Sequence, residues 1–222
     1  MQDKFKEGEI FSMLDAIGKH LAKKTPCHIF GGAAMVFRGL KVTTKDIDLI
    51  FDNRAEMETF VSAAEKAGFA TVKIPRAYER LEISCLLENC ENNWRLDIFL
   101  GRFAGKMRFT HAMKKRAKPL REFHNLNALL LSNEDIFILK SITERKRDLE
   151  DMKLLLGFGL DWKVIESEML AQDDFIIHTF PGISQLTDEY GIDINFSGKL
   201  KVRYEEKMEE WADKTEKRLS GK

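Results

Sequence analysis

The sequence predicts an α/β (α+β) fold, in which helices flank a small mixed sheet and a helical region follows at the C-terminal end. Short apolar runs typical of strands alternate with helical patterns as far as Leu131, whereas the later patterns are helical. We therefore expect an α/β domain over residues 1–131 and a helical domain over residues 132–222. A chain of 222 residues is long enough for both.

The first domain is predicted to open with a helix, because apolar residues recur at helical spacing between Ile10 and Leu21. The polar residues 88–93 predict a hairpin loop between two strands. In chain order, the remaining predicted elements are strand Cys27–Phe30, helix Ala33–Leu40, strand Asp46–Asp52, helix Arg54–Ala67, strand Leu81–Leu87, strand Trp94–Leu100 and strand Leu126–Leu131.

The second domain is predicted to begin at residues 132–135, which have the Ser-x-x-acid form of a capping box. Helical patterns continue to Leu156 and recur over Trp162–Leu170 and Lys201–Leu219. The dipeptide Pro181-Gly182 predicts a turn between the last two helices.

Composition excludes several classes of protein. Hydrophobic residues make up 44% and charged residues 32%, so the chain is neither disordered nor collagen-like. Residues 1–24 form a charged amphipathic pattern rather than a signal peptide, and the apolar runs are too short to span a membrane. The three cysteines lack metal-site spacing, which favours reduced thiols. We therefore expect a cytoplasmic protein.

Charge is unevenly distributed along the chain. Lys and Arg total 36 and Asp and Glu total 36, so bulk charge does not favour wrapping nucleic acid. Residues 1–131 nevertheless carry a net charge of +6, and residues 98–121 hold eight Lys and Arg but no acid. Such a segment is typical of a surface that meets phosphate or an acidic neighbour, although a plain solvated face is the alternative. The candidate phosphate-facing residues are Arg102, Lys106, Arg108 and His111.

Three aspartates form the candidate catalytic cluster. Asp46 and Asp48 alternate along a predicted strand, so they share a face of the sheet. Two like charges about 4 Å apart cost roughly 4 kcal/mol at an effective dielectric near 20, unless a cation joins them. Asp97 lies in an otherwise apolar strand and needs a partner if it is buried. Mg²⁺ or Mn²⁺ held by all three carboxylates would satisfy both requirements, and a pair of such ions promotes phosphoryl transfer.

The pair Gly31-Gly32 follows the first predicted strand. Glycines at such a turn let the backbone approach a ligand closely, and N–H groups at the start of the next helix can bind phosphate. The glycine pair alone is a weak signal for phosphate binding, but its combination with the three aspartates in strand context is much stronger.

These motifs resemble the polymerase-β-type nucleotidyltransferase superfamily: Phe30-Gly31-Gly32, Asp46-Ile47-Asp48 and Leu96-Asp97-Ile98. The resemblance implies the minimal nucleotidyltransferase fold, with Gly31 and Gly32 at the triphosphate and metal ions on Asp46 and Asp48. Asp97 would ligate an ion or act as a base, although some related toxin-like proteins lack a third acid.

A second block is similar to the abortive-infection toxin-like (AbiEii-like) nucleotidyltransferases, and it runs from Leu139 to Asp151. That resemblance implies that Lys140 and Arg147 bind the nucleotide and that Asp148 supports the site or acts as a base. On one continuous helix, Lys140, Arg147 and Asp151 would lie near one face. A salt-bridged helix surface, with Arg147 paired to Asp151, is the alternative.

The sequence therefore predicts an enzyme that uses Mg²⁺ or Mn²⁺ to transfer a nucleoside monophosphate from an NTP, ATP among them, to an acceptor hydroxyl. The acceptor would be RNA (tRNA among the possibilities), a protein or a small molecule. One alternative is a catalytically silent nucleotide-binding protein or one half of a toxin–antitoxin-type pair, restrained by a partner protein. A second is a structural protein whose acids are paired with Arg or Lys.

Overall fold

Strands and helices alternate in the first part of the chain, and helices make up the rest. A computed structural model describes residues 5–89, 91–92, 94–104, 107–143, 145–192, 194 and 196–220. The chain divides into two compact units, Met1–Ser132 and Asn133–Lys222. The predicted mixed α/β fold with a helical C-terminal region is confirmed. In the described part of the chain, no helix is both long and apolar enough to cross a membrane.

The first unit contains a mixed set of helices and strands. Its helices are α1 (Glu7–Lys19), α2 (Gly31–Phe37), α3 (Arg54–Lys66) and α4 (His111–Arg116). Its strands are β1 (Thr25–Phe30), β2 (Ile47–Phe51), β3 (Phe69–Val72), β4 (Cys85–Asn89), β5 (Arg95–Leu100), β6 (Arg102–Phe103), β7 (Met107–Arg108), β8 (Lys118–Phe123) and β9 (Leu126–Leu130).

Seven of these strands form one mixed sheet in the order β3-β4-β5-β2-β1-β9-β8. Two pairs in it are parallel, β2 with β5 and β1 with β9. The central strands β1 and β2 are antiparallel to each other. The short strands β6 and β7 form a separate two-stranded ribbon. The acidic strand β2 is therefore enclosed between β1 and β5 at the middle of the sheet.

The two faces of β2 have different surroundings. Ile47, Leu49 and Phe51 are completely buried, and the Phe51 ring lies 5.1 Å from the Phe60 ring of α3. Helix α3 thus covers this face of the sheet. Because strand side chains alternate, Asp48 belongs to the opposite face. Burial of the large apolar side chains on the α3 side stabilises the strand by roughly 2 kcal/mol each and fixes which way the acid points.

The second unit is helical. Its helices are α5 (Asn133–Ser141), α6 (Lys146–Leu156), α7 (Trp162–Gln172), α8 (Ile176–Tyr190) and α9 (Gly198–Leu219). The prediction of one continuous helix through Lys140 and Asp151 is wrong, because α5 ends at Ser141 and α6 begins at Lys146.

The predicted turn at Pro181-Gly182 is also wrong, since both residues lie inside α8. A Cβ added at Gly182 would lie 1.9 Å from the carbonyl oxygen of Ser141. The glycine therefore permits α8 to pack closely against α5, and this contact explains a residue that otherwise resembles a turn former.

Candidate active site

The strands that carry the predicted acids are neighbours in the sheet. The parallel register of β2 and β5 places Asp48 beside Asp97, and Asp46 immediately precedes β2. On the other side of β2, strand β1 ends at Phe30, which lies opposite Asp48. The glycine turn after β1 and the acids thus meet in the middle of the sheet, although Asp48 and Asp97 are 49 residues apart in the chain.

Arg95 joins two of the three acids. Its Nε lies 2.8 Å from Oδ1 of Asp97, and its Nη2 lies 2.9 Å from Oδ2 of the same carboxylate. The same Nη2 donates to Oδ2 of Asp46 at 3.1 Å. The guanidinium therefore donates hydrogen bonds to both oxygens of Asp97 but to only one oxygen of Asp46. Sequence reasoning missed Arg95, although it stands two residues before Asp97 on a strand and must share its face.

The Arg95–Asp97 pair is almost completely buried, with side chains 6% and 3% exposed. Burial raises the pKa of Asp97 to about 6, even though the charge of Arg95 acts in the opposite direction. The Arg95 guanidinium also lies 4.4 Å from the centre of the Tyr78 ring, a stacking contact that favours arginine over lysine. Asp97 thus has the partner that its burial requires, and that partner is a side chain of the protein.

Gly31 is required by two independent features of the site. Its φ is +60°, a conformation that L side chains rarely adopt. A Cβ at this position would also lie 2.0 Å from Oδ2 of Asp48. The Asp48 carboxylate therefore packs directly against the glycine backbone, so the turn after β1 determines where this acid stands.

The second glycine accommodates Thr44. A Cβ at Gly32 would lie 2.4 Å from Thr44 Oγ1, and the same hydroxyl donates to the carbonyl oxygen of Asp46 at 3.0 Å. Thr44 consequently links the start of α2 to the backbone beside the first acid. The space that a side chain at either glycine would need is thus taken by Asp48 and Thr44, and the approach of a ligand to this turn stays a prediction.

The carboxylates fit a divalent cation in part. Asp46 and Asp48 offer hard oxygen ligands at the edge of the site, and the Asp46 side chain is 17% exposed. Both oxygens of Asp97 are engaged by Arg95. In the part of the chain that the structure describes, no group of three His, Cys, Asp or Glu side chains is arranged to hold a metal ion. The donor set therefore suits an ion on Asp46 and Asp48.

In the second unit, Lys140 is the centre of a buried ion-pair cluster. Its Nζ lies 2.7 Å from Oδ1 of Asp148 and 2.8 Å from Oδ2 of Asp151. Nε of Arg145 donates to Oδ2 of Asp148 at 2.6 Å, and Arg147 is exposed. The alternative pairing of Arg147 with Asp151 is therefore not the one seen, because Lys140 reaches Asp151 across the break between α5 and α6.

This cluster fixes the ionisation of Asp148. Burial alone would raise the pKa of this carboxyl, but Lys140, Thr143 and Arg145 outweigh burial and hold the pKa at about 2. Both oxygens of Asp148 accept hydrogen bonds in this arrangement. Lys140 and Asp148 are therefore paired with each other, and the predicted roles of Lys140 and Arg147 in nucleotide binding and of Asp148 at the site stay predictions.

Comparison with known sequences places the chain in a family. Residues 8–182 match the profile of DUF6036, described as a nucleotidyltransferase of unknown function. The chain belongs to the DUF6036 family. The AbiEii-like subgroup is not part of that description and stays a prediction. No curated protein matches the DUF6036 chain.

Two solved structures from Helicobacter pylori are similar to the DUF6036 chain. One is JHP933, with 14% identity, coverage of 94% of both chains and a TM-score of 0.42. The other is a protein to which nucleotidyltransferase activity has been ascribed, with 16% identity, coverage of 89% of this chain and 88% of that one, and a TM-score of 0.40.

The acid-free segment of the DUF6036 chain forms an exposed basic region. Arg102 of β6 lies directly opposite Arg108 of β7, and both side chains are exposed, as is His111 at the start of α4. Lys106, the fourth candidate phosphate-facing residue, lies outside the described residues. Lys114 of α4 forms an ion pair with Asp52, which follows β2. The basic region is thus attached to the strand that carries Asp48.

Aromatic rings hold this region against the sheet. The Phe30 ring lies 5.3 Å from Phe99 and 4.9 Å from Phe103, and Phe103 lies 5.8 Å from Phe109. The Phe109 ring meets the buried His28 at 4.8 Å, and burial lowers the pKa of this histidine to about 4. His28 is therefore a neutral core residue.

Replacing Lys140 of the DUF6036 protein with Met is expected to lower the free energy of unfolding by about 3 kcal/mol. The change leaves Asp148 and Asp151 buried without their shared cation, which costs more than any gain in apolar packing. Denaturant titration at pH 7 measures the loss. Lys163→Met, at an exposed position on α7, is the matched control, and an equal effect of the two changes would contradict the structural role of Lys140.

Acid is expected to remove the stabilisation that Asp148 provides. Its folded pKa of about 2 lies below the ordinary value of 3.8, so the contribution is complete above pH 5 and is lost as the pH falls from about 4 to 2. The shift corresponds to roughly 2 kcal/mol. Asp148→Asn should therefore be less stable than wild type at pH 7 but nearly equal to it at pH 2. Asp188→Asn, at an exposed site on α8, should show no such convergence.

Proposed function

We propose that this protein is a metal-dependent nucleotidyltransferase that moves a nucleoside monophosphate from an NTP to an acceptor hydroxyl and releases pyrophosphate. The observation that carries the proposal is the placement of Asp46 and Asp48 at the middle of the sheet, with Asp48 against the Gly31 backbone. The family description, a nucleotidyltransferase of unknown function, supports the reaction class.

In the proposed reaction, the acceptor oxygen attacks the α-phosphorus of the NTP. A new phosphorus–oxygen bond forms, the bond between the α-phosphorus and its bridging oxygen breaks, and the hydroxyl proton passes to water. A bound Mg²⁺ or Mn²⁺ would supply positive charge to the phosphate oxygens. Asp46 and Asp48 would hold that ion, while Gly31 packs against the Asp48 carboxylate and Thr44 hydrogen-bonds to the backbone carbonyl of Asp46. Catalysis is then mainly positioning and electrostatic stabilisation.

The exposed basic region supports an anionic acceptor, for which RNA is the candidate that fits best. Arg102, Arg108 and His111 lie on the surface of a segment without acids. Contacts between such side chains and RNA phosphates release counterions, so RNA affinity should fall steeply as salt rises. Affinity that does not change with salt would favour a protein or small-molecule acceptor instead.

Label transfer tests the proposed function directly. Purified protein with Mg²⁺ or Mn²⁺ is incubated with a cell extract and, in turn, each of the four NTPs labelled at the α-phosphate. We expect a labelled macromolecule with at least one NTP, together with release of unlabelled pyrophosphate. Digestion of the product with RNase or protease then identifies the acceptor class.

The contact between Arg95 and Asp46 favours a second candidate, a nucleotide-binding protein that does not turn over, including an antitoxin-restrained partner of a pair. In it, an internal cation would take the position of the catalytic ion. Measurable nucleotide binding without labelled product from any NTP would support this candidate. The purely structural alternative predicts, in addition, that divalent cations leave the melting temperature unchanged.

A further inference from the structure

One cation of the candidate site belongs to the protein itself, because the Arg95 guanidinium contacts two of the three carboxylates. Arg95 spans the gap between β5 and the start of β2, with its Nη2 within 3.1 Å of Asp46 and 2.9 Å of Asp97. A planar guanidinium matches the two oxygens of a carboxylate, which a divalent ion in the same position would otherwise bridge. The positively charged Arg95 guanidinium therefore occupies the gap between the Asp46 and Asp97 carboxylates.

Arg95 is held in this position by more than one group. The Tyr78 ring lies against its guanidinium, and its side chain is only 6% exposed. Removing the guanidinium from Asp97 would leave that acid buried and unpaired, a change that is strongly unfavourable. Its contact with Asp46 is weaker, because it involves a single oxygen at the longest of the three distances. Arg95 can consequently loosen its contact with Asp46 and keep its contact with Asp97.

Charge balance gives the same result. Three ionised carboxylates carry a charge of −3, and the guanidinium reduces it to −2 before any metal binds. One divalent ion then neutralises the cluster. A second ion would bring it to +2 and would have to enter a buried region that already holds a cation.

We propose that the Arg95 guanidinium takes the place of the second metal ion in this carboxylate cluster, so that the site binds one divalent cation, on Asp46 and Asp48, and Asp97 serves as the counter-ion of Arg95. This inference rests on the proposed function, because it concerns the ion which that function requires. Arg95 is then a positioning residue that fixes Asp97 and limits the number of ions.

Counting bound Mn²⁺ tests the proposal without any measurement of activity. Free Mn²⁺ is followed by electron paramagnetic resonance as the purified protein is titrated. We expect one ion per chain in wild type and two in Arg95→Gln, because the change frees both oxygens of Asp97. Arg54→Gln removes the same charge from an exposed position at the start of α3 and should leave the count at one.

A conservative change keeps the test valid if Arg95→Gln does not fold. Arg95→Lys retains the positive charge without the planar fork, and it should therefore still bind one ion. Two ions in wild type, two in Arg95→Lys, or one in a folded Arg95→Gln would overturn the inference and leave the proposed function standing. No bound Mn²⁺ in wild type would instead contradict the metal dependence in the proposed function, and with it the inference.

Discussion

Asp48→Asn is expected to abolish nucleotidyl transfer while the protein stays folded. The substitution removes a hard anionic ligand from the edge where Asp46 and Asp48 face the proposed ion, and the loss should be about 10³-fold. Because Asn has the same shape as Asp, its packing against Gly31 is preserved. Removing one of several neighbouring negative charges should leave the melting temperature equal or slightly higher when no divalent ion is present. Label transfer and thermal unfolding measure the two effects.

Asp52→Asn is the matched control for that prediction. Asp52 lies four residues further on, is half exposed and pairs with Lys114, so its substitution removes the same charge near the same strand. Transfer should fall by less than threefold, since an exposed pair of this kind contributes about 1 kcal/mol or less. Full activity in a folded Asp48→Asn protein would refute the assignment of Asp48 as a metal ligand.

Gly31→Ala is expected to eliminate transfer by a different route. An alanine methyl would meet Asp48 Oδ2 at 2.0 Å, so the carboxylate has to leave its position. The backbone φ of +60° adds a strain of roughly 1–2 kcal/mol for a residue with a side chain. We expect transfer close to that of Asp48→Asn, together with a drop of at least about 2 kcal/mol in the free energy of unfolding.

Gly39→Ala separates the effect of backbone strain from the effect of the clash with Asp48. Gly39 has a φ of +69° but no atom within 4 Å of its added Cβ, so alanine there suffers the backbone strain without the clash. It should lose stability by about 1 kcal/mol and retain transfer. If Gly39→Ala loses transfer as fully as Gly31→Ala, the effect reflects stability rather than the position of Asp48.

Much of the fold could be predicted because the spacing of apolar residues along the chain indicates which side chains are buried in a helix or a strand. The alternation around Asp48 and the helical spacing before Leu21 both correspond to elements of the structure. The ribbon of β6 and β7 escaped prediction, since strands of two residues carry no usable period. Strand β4 begins at Cys85 rather than Leu81, because residues Arg76–Leu81 form a short 3₁₀ helix that an apolar pattern does not distinguish from a strand.

The site was less predictable than the fold, because its contacts join residues far apart in the chain. The alternation of side chains places Asp97 on one face of the sheet. It does not reveal that Arg95 binds Asp97 and also contacts Asp46, which lies 49 residues before Arg95 in the chain. Lys140 finds Asp151 across a break between helices, which spacing on a single ideal helix cannot describe. Which groups satisfy a buried charge is therefore decided by tertiary packing, and local sequence shows only that a partner is needed.

The parallel pairing at the middle of the sheet also determines the order in which the site can form during synthesis. Strand β2 emerges from the ribosome about 50 residues before β5, and Thr25 of β1 pairs with Leu126, about 100 residues later. Such distant pairings cost loop-closure entropy and make folding slow. Until β5 is made, the nascent chain holds Asp46 and Asp48 without the strand that pairs with β2. The sheet that positions the two acids is then incomplete, so a chain interrupted before β5 should bind no metal at this place.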